Sequence, residues 1–184
     1  MKQWRLKRQN MRRYNLTAHL YNSRYIEEQN DKIEEILGII ELNSKCSILD
    51  IGCGTGLLFP YLGNHPHITV GLDLSKQMLE KAKHSTRSKD NVHLILADAD
   101  YIPLRELSFN VILAITLLQN MPDGAQTLQE TKRVMTANAK LVVTGLVSYF
   151  TEEEFSQLLE RTGFQKILVL HKSTRRFHVA VCEK

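Results

Sequence analysis

Ile48-Leu49-Asp50-Ile51-Gly52-Cys53-Gly54-Thr55-Gly56 decides how this chain folds. A short apolar run passes straight into three glycines at alternate positions, with an acid just before them. The run, Ser47 to Ile51, reads as a buried strand. The glycines let the backbone turn sharply and leave nothing bulky between the main chain and a ligand. This is the order expected of a nucleotide-side binding loop at the end of the first strand of an α/β sheet.

Working outward, Ile68 to Leu72 predicts a second strand ending at Asp73. Ser75 then caps a helix running to about His84, with Met78, Leu79 and Ala82 inward. Val92 to Leu96 predicts a third strand just before Asp98, Val111 to Ile115 a fourth, and Lys140 to Val147 a fifth. Ala125 to Met135 forms the helix before the fifth strand. Thr151-Glu152-Glu153-Glu154 is a capping box, opening a helix that stops at Gly163. Gln165 to Leu170 and Phe177 to Cys182 close the chain as an antiparallel hairpin around the short loop Lys172 to Arg176.

Upstream of the glycines, Ile26, Ile33, Ile36, Leu37 and Ile40 recur near helical spacing. They predict a helix from Arg24 to Leu42, capped by Asn22 or Ser23 and ended by Asn43-Ser44. Leu57 to Leu62 predicts a short helix opening directly after Gly56. Strands alternating with helices mean crossovers between parallel neighbours. The expected architecture is α/β: a doubly wound, mostly parallel seven-stranded sheet with a C-terminal antiparallel hairpin and helices on both faces. Residues 1–45 form a basic arm and helix on the lid or substrate side, and residues 46–184 form the ligand-binding domain.

At 184 residues, 43% apolar and 24% charged, the chain is long enough for one domain with a real core. No apolar run approaches the roughly 20 residues of a membrane helix, and the basic N-terminus lacks the apolar core of a secretory signal. A cytoplasmic location is therefore expected. Cys46, Cys53 and Cys182 are odd in number and lie in predicted strands or in the glycine loop, without metal-ligand spacing; they read as buried thiols in a reducing compartment. The net charge is +4, but Lys2, Arg5, Lys7, Arg8, Arg12 and Arg13 supply six positive charges in Met1 to Arg13, which holds no acid. Subtracting them leaves −2 for the rest. That basicity belongs to one segment, either a solvated tail or an arm for an anionic partner such as RNA.

Ligands of doubly wound sheets bind at the carboxyl ends of the strands, beside the first. Gly52, Gly54 and Gly56 fall there, as do Asp73 and Asp98. Asp73 lies 21 residues beyond Gly52, where a carboxylate accepts hydrogen bonds from the vicinal hydroxyls of a ribose. Asp98 is placed to accept from the exocyclic amine of a purine, with Leu74 and Ala99 as apolar walls for the base. A dinucleotide loop has the spacing G-x-G-x-x-G. Here the third glycine comes one residue early and Asp50 precedes the loop. A carboxylate there repels a pyrophosphate and attracts a sulfonium or an amino group.

Ile48 to Gly56 resembles the first motif of class I S-adenosylmethionine-dependent methyltransferases. Gly71-Leu72-Asp73-Leu74-Ser75 resembles their second, Ala97-Asp98-Ala99 their third, and Phe109-Asn110-Val111-Ile112 their fourth, with Asn110 in place of the usual acid. Leu117-Leu118-Gln119-Asn120-Met121-Pro122-Asp123 resembles the segment after strand four in the quinone-type, small-molecule branch, which often has histidines where Gln119 and Asn120 stand. Tyr14 to Asn22 resembles an N-terminal Tyr-Asp-x-x-Ala-x-x-Tyr-Asp segment with both acids replaced by Asn. The resemblance implies S-adenosyl-L-methionine as cofactor. It also implies that Asp50 and the Gly52-Cys53-Gly54 and Gly56 backbone hold the methionine end, with Asp73 at the ribose and Asp98 at the adenine.

Candidates near the methyl acceptor are Asn120, Tyr14, Tyr21 and His19. Each has a plainer reading: Asn120 as a turn residue, the tyrosines as helix packing, His19 as an exposed helical residue. Substrate recognition is expected from the first 45 residues and from the loops Tyr101 to Ser108 and Gln119 to Gly124. A small-molecule acceptor is the leading reading. An RNA or protein acceptor, reached through the basic arm with Lys172, Arg175 and Arg176, is the alternative. A non-catalytic cofactor-binding subunit is another, because an apolar third strand at the sheet edge, Val92 to Leu96, invites a protein partner or a second copy. A dehydrogenase is disfavoured by the glycine spacing and by Asp98.

Overall fold

The computed structural model describes residues 2–63, 66–170 and 176–184. Among the described residues four α-helices, α1 (Lys2–Leu37), α2 (Lys76–Ser85), α3 (Gly124–Val134) and α4 (Glu152–Arg161), and a 3-10 turn at Leu118–Asn120 accompany seven strands. The strands are β1 (Ser47–Ile51), β2 (Ile68–Asp73), β3 (Val92–Leu96), β4 (Phe109–Ala114), β5 (Met135–Leu146), β6 (Gln165–Leu170) and β7 (Phe177–Glu183). They form one sheet in the order β3-β2-β1-β4-β5-β7-β6. Pairs among β1 to β5 are parallel, and β7 runs antiparallel to both β5 and β6. The doubly wound sheet and the closing hairpin stand as expected; most of the hairpin loop, 171–175, lies outside the described residues.

Alternate residues of the central strands serve opposite cores. Ile112 and Ala114 of β4, with Leu141 and Val143 of β5, join Leu128 and Val134 of α3 and Phe155, Leu158 and Leu159 of α4. Val111 and Leu113, with Val142, join Ile33 and Ile36 of α1, Phe59, and Ala82 of α2. Helices therefore cover both faces, and the strands read as continuous apolar runs for that reason.

Three local expectations are corrected. The helix predicted from Arg24 begins at Lys2 and ends at Leu37, not Leu42. No glycine or proline occurs before Gly38, so nothing interrupts it. Its outer half lacks apolar periodicity because polar side chains make its contacts there. The basic arm is thus ordered helix, not a solvated tail.

Second, residues 57–62 form successive turns, Phe59 to Gly56 (3.2 Å) and Leu62 to Phe59 (3.3 Å), instead of a helix. Pro60 has no amide to donate there. Third, α3 runs directly into β5, whose first residue Met135 pairs with Phe109 across a register shift before Lys140 pairs with Val111. The remaining start and stop signals hold. Ser75 accepts from the Met78 amide (3.3 Å), the Thr151/Glu154 capping box is formed, and Gly163 takes φ +81° after α4.

Candidate functional site

β1 lies between β2 and β4, where the chain switches sides of the sheet. Above the carboxyl ends at this point is a cavity of about 100 Å³. Its floor and walls come from Gly52, Gly54, Asp73, Leu74, Ser75, Met78, Ala97, Asp98, Ala99, residues 115–117, Asn120 and Met121. Its roof is α1, through Lys7, Asn10, Met11, Tyr14 and Tyr21. A smaller cavity of about 40 Å³ shares Tyr21, Gly52, Gly54 and Ile115, and reaches Asp50, Cys53 and Thr55.

The glycine loop is built as its sequence implies. Gly54 has φ +55°, and a Cβ there would meet only the Gly52 carbonyl oxygen, at 4.0 Å, so its open side faces space rather than protein. Its amide donates to Asp73 Oδ2 (2.9 Å), and the Ser75 amide donates to Asp73 Oδ1 (2.7 Å). These bonds aim the carboxylate and leave each oxygen a further lone pair. Burial raises Asp73 above the ordinary carboxylate range, opposed by the amides of Ser75, Gly54 and Leu74. Gly56 does not line either cavity. A Cβ there would sit 2.8 Å from the Phe59 ring and 2.9 Å from Ser85 Oγ, so this third glycine serves packing behind the loop.

Asp50 is 3% exposed, and no described group donates to its carboxylate. Burial, then the nearby charge of Asp73, push it up to about 7. Cys53 is raised well above the ordinary thiol by the same burial and by both acids, so it is an inert wall of the smaller cavity.

Asp98 stands on the wall of the cavity, and it already has a cation. Lys7 Nζ donates to Asp98 Oδ1 and Oδ2, both at 2.7 Å, and pairs with Asp100 as well. Thr127 Oγ1 and the Asp100 amide fix the two acids from the other side. Desolvation lowers the Lys7 ammonium, but its bonds to Asp100 and Asp98 outweigh this and hold it above the ordinary lysine value.

Asn120 Oδ1 accepts from Tyr14 Oη (3.2 Å) and Arg13 Nη2 (3.0 Å), its backbone carbonyl accepts from Asn10 Nδ2 (2.8 Å), and its Nδ2 donates to the Thr116 carbonyl (3.0 Å). It is therefore a polar hub between roof and wall rather than a bare turn residue. Burial raises Tyr14, against Arg13 and the bond to Asn120, and raises Tyr21 further. Both phenols stay protonated near neutral pH and act as donors and walls. Thr116, beside them, has φ +60°, a strained value for a β-branched residue.

His19 is exposed, in keeping with its plainer reading, and lines neither of these two cavities; nor does any residue of the loop 101–108, expected on the substrate side. Asn110 sits at the opposite end of β4, accepting from the Ser47 amide and donating to the Lys45 carbonyl, and so clips β4 to β1. Lys7, Asn10, Met11, Met78, Leu117 and Asp100 were given no place at the site from the sequence. A signal existed: Lys7, Tyr14 and Tyr21 recur every seven residues, on one face of a long helix.

The methyltransferase-domain family matches residues 49–143 of this sequence, just over half of it. The chain belongs to this methyltransferase-domain family. The matched part runs from β1 into β5, so it carries the glycine loop, Asp73, Asp98 and Asn120, and leaves out α1 and the closing hairpin. A malonyl-[acyl-carrier protein] O-methyltransferase of Marinomonas is 30% identical over 142 residues, covering 76% of this chain and 52% of that protein. A demethylmenaquinone methyltransferase of Staphylococcus haemolyticus is 35% identical over 107 residues, covering 56% and 44%. The chain thus spans about half the length of the curated relatives it matches. A Thermotoga maritima structure described as a SAM-dependent methyltransferase, possibly a histamine N-methyltransferase, shares the fold at TM-score 0.76 with 18% identity, over 93% of this chain and 98% of its own.

Proposed function

We propose that this chain is an S-adenosyl-L-methionine-dependent methyltransferase acting on a small-molecule acceptor. The observation that carries the reading is Asp73, held by the Gly54 and Ser75 amides on the wall of a largely apolar cavity beneath the open side of Gly54. Residues 46–184 bind the cofactor, and residues 1–45 form the lid and substrate side. Asp50, a buried carboxylate without a donor, fits an ammonium at the methionine end. Asp73 fits the two ribose hydroxyls, and Leu74, Met78 and Ala99 fit the faces of a purine. Asp98 fits its amine once Lys7 gives way.

The cofactor, when bound, supplies a methyl group already activated on a sulfonium for in-line displacement. The chain's own work is to hold donor and acceptor in line and keep water out. The cavity walls and the anchored inner part of α1, at Tyr21, do the second. Asn120, tied to the Thr116 carbonyl, offers a fixed dipole at the acceptor end and Tyr14 a phenol, and neither takes up a proton. The acceptor is therefore one that is nucleophilic without a protein base.

The covered cavity favours a small molecule over RNA, because Arg5, Arg8 and Arg12 are exposed on α1 and do not line it. A partner chain at the sheet edge is a second reading, favoured by Leu96, which is 56% exposed on β3; light scattering of the purified chain tests it. No described helix is long and apolar enough to cross a membrane, and a cytoplasmic location goes with the proposed activity.

Calorimetry with S-adenosylhomocysteine, against NAD as control, tests the cofactor. S-adenosylhomocysteine is expected to bind and NAD not. Asp73→Ala should weaken binding roughly tenfold to a hundredfold, the worth of hydrogen bonds to a charged group. Unchanged affinity in Asp73→Ala overturns the assignment.

A further inference from the structure

Between Gln3 and Thr17, Lys7 is the single buried residue of α1. The other half of the same helix is anchored differently, by Ile33 and Ile36 in the apolar core. The outer turns are held chiefly by polar contacts: Lys7 to Asp98 and Asp100 on one wall, Asn10, Arg13 and Tyr14 to Asn120 on the other, and Asn15, which accepts from Ser75 and the Gln77 amide. The two acids are fixed independently of Lys7, through Thr127 on α3 and the Asp100 amide. They form a built cation site that the chain fills with its own ammonium. A buried ammonium requires such partners, and two neighbouring carboxylates require such a cation or a donor in its place. Asp98 also faces the cavity, where the reading above puts the purine amine. Lys7 spans both oxygens of that carboxylate, so the amine meets it there.

We propose that residues 3–17 of α1 are a latch over the adenine end of the cavity, held shut by Lys7 on Asp98 and Asp100 and released when the amine of the bound ligand takes Asp98. This rests on the cofactor reading above. The latch couples ligand entry to the freeing of the outer helix, which also carries Tyr14 and Arg13 of the acceptor end.

The test combines calorimetry and hydrogen exchange on the full chain. In the wild type, S-adenosylhomocysteine is expected to raise amide exchange in residues 3–17. Its deaminated form, with a carbonyl in place of the purine amine, should bind without raising it. Lys7→Met should exchange fast there without ligand and bind S-adenosylhomocysteine roughly tenfold tighter; Lys7→Gln provides the same comparison should the methionine variant misfold. Equal or weaker binding by these variants, or exchange in 3–17 that falls in the wild type on ligand addition, overturns the latch while leaving the cofactor reading intact. Absence of any binding by the wild type overturns both.

Discussion

At the residue scale, Asp50 makes the sharpest prediction. Its folded carboxyl keeps its proton to about pH 7, whereas an unfolded aspartate ionises near ~3.9. Below pH ~4 both states hold the proton. As pH rises from there towards 7, the unfolded state gives up a proton that the folded state retains, so stability falls across that window. Asp50→Asn should flatten the fall in denaturant midpoint between about pH 4.5 and 7; an unchanged slope contradicts the assignment. The same carboxyl must ionise to hold an ammonium. At pH 6, binding of S-adenosylhomocysteine should then expel a proton, seen as a dependence of the calorimetric enthalpy on buffer, and Asp50→Asn should abolish that dependence. Asp50, Asp73 and Asp98 were legible in the sequence because each sits at or near the carboxyl end of an apolar strand. Lys7 was not, because its partner is 91 residues away and its seven-residue spacing to Tyr14 and Tyr21 says nothing of a carboxylate.

At the scale of elements, capping chemistry was the most readable part. Thr151→Ala should cost roughly 0.5–2 kcal/mol, since the capping box is formed; thermal unfolding should shift down by about 2–4 °C per kcal/mol for a chain this size. Gly56→Ala forces a methyl against Phe59 and Ser85 at φ +76°, and should lower the denaturant midpoint without the selective loss of ligand affinity expected of Asp73→Ala. The outer half of α1 was illegible for a physical reason. Hydrophobic periodicity reports burial in oil-like surroundings, and this stretch packs through an ammonium, amides and a phenol. The helix propensities of its Lys, Arg, Gln, Met and Leu residues carried the missing information. Ile36→Ala, at 0% exposure in the helix anchor, should destabilise by roughly 2–5 kcal/mol, and equilibrium unfolding measures it.

At the scale of the whole molecule, Cys46, Cys53 and Cys182 are all buried and unpaired. An aqueous disulfide reagent should leave them untouched in the native state and titrate all three in denaturant; fast native labelling would mean a looser core than the one described. The sheet order was readable from strand–helix alternation, but the way one helix both enters the core and roofs the site was not. That helix has mechanical consequences. Ile33 and Lys7 are 26 positions apart, or about 39 Å along the axis at about 1.5 Å per residue. A tilt of about 5° at the anchored end swings Lys7 by about 3.4 Å, more than a hydrogen bond is long. The rod also carries Tyr14, Asn15 and Asn22, each bonded to a different part of the rim. A stiff lever cannot release one of these fulcrum-side contacts at a time in arbitrary order; displacement grows with distance from the pivot, so the purine end must open first and widest.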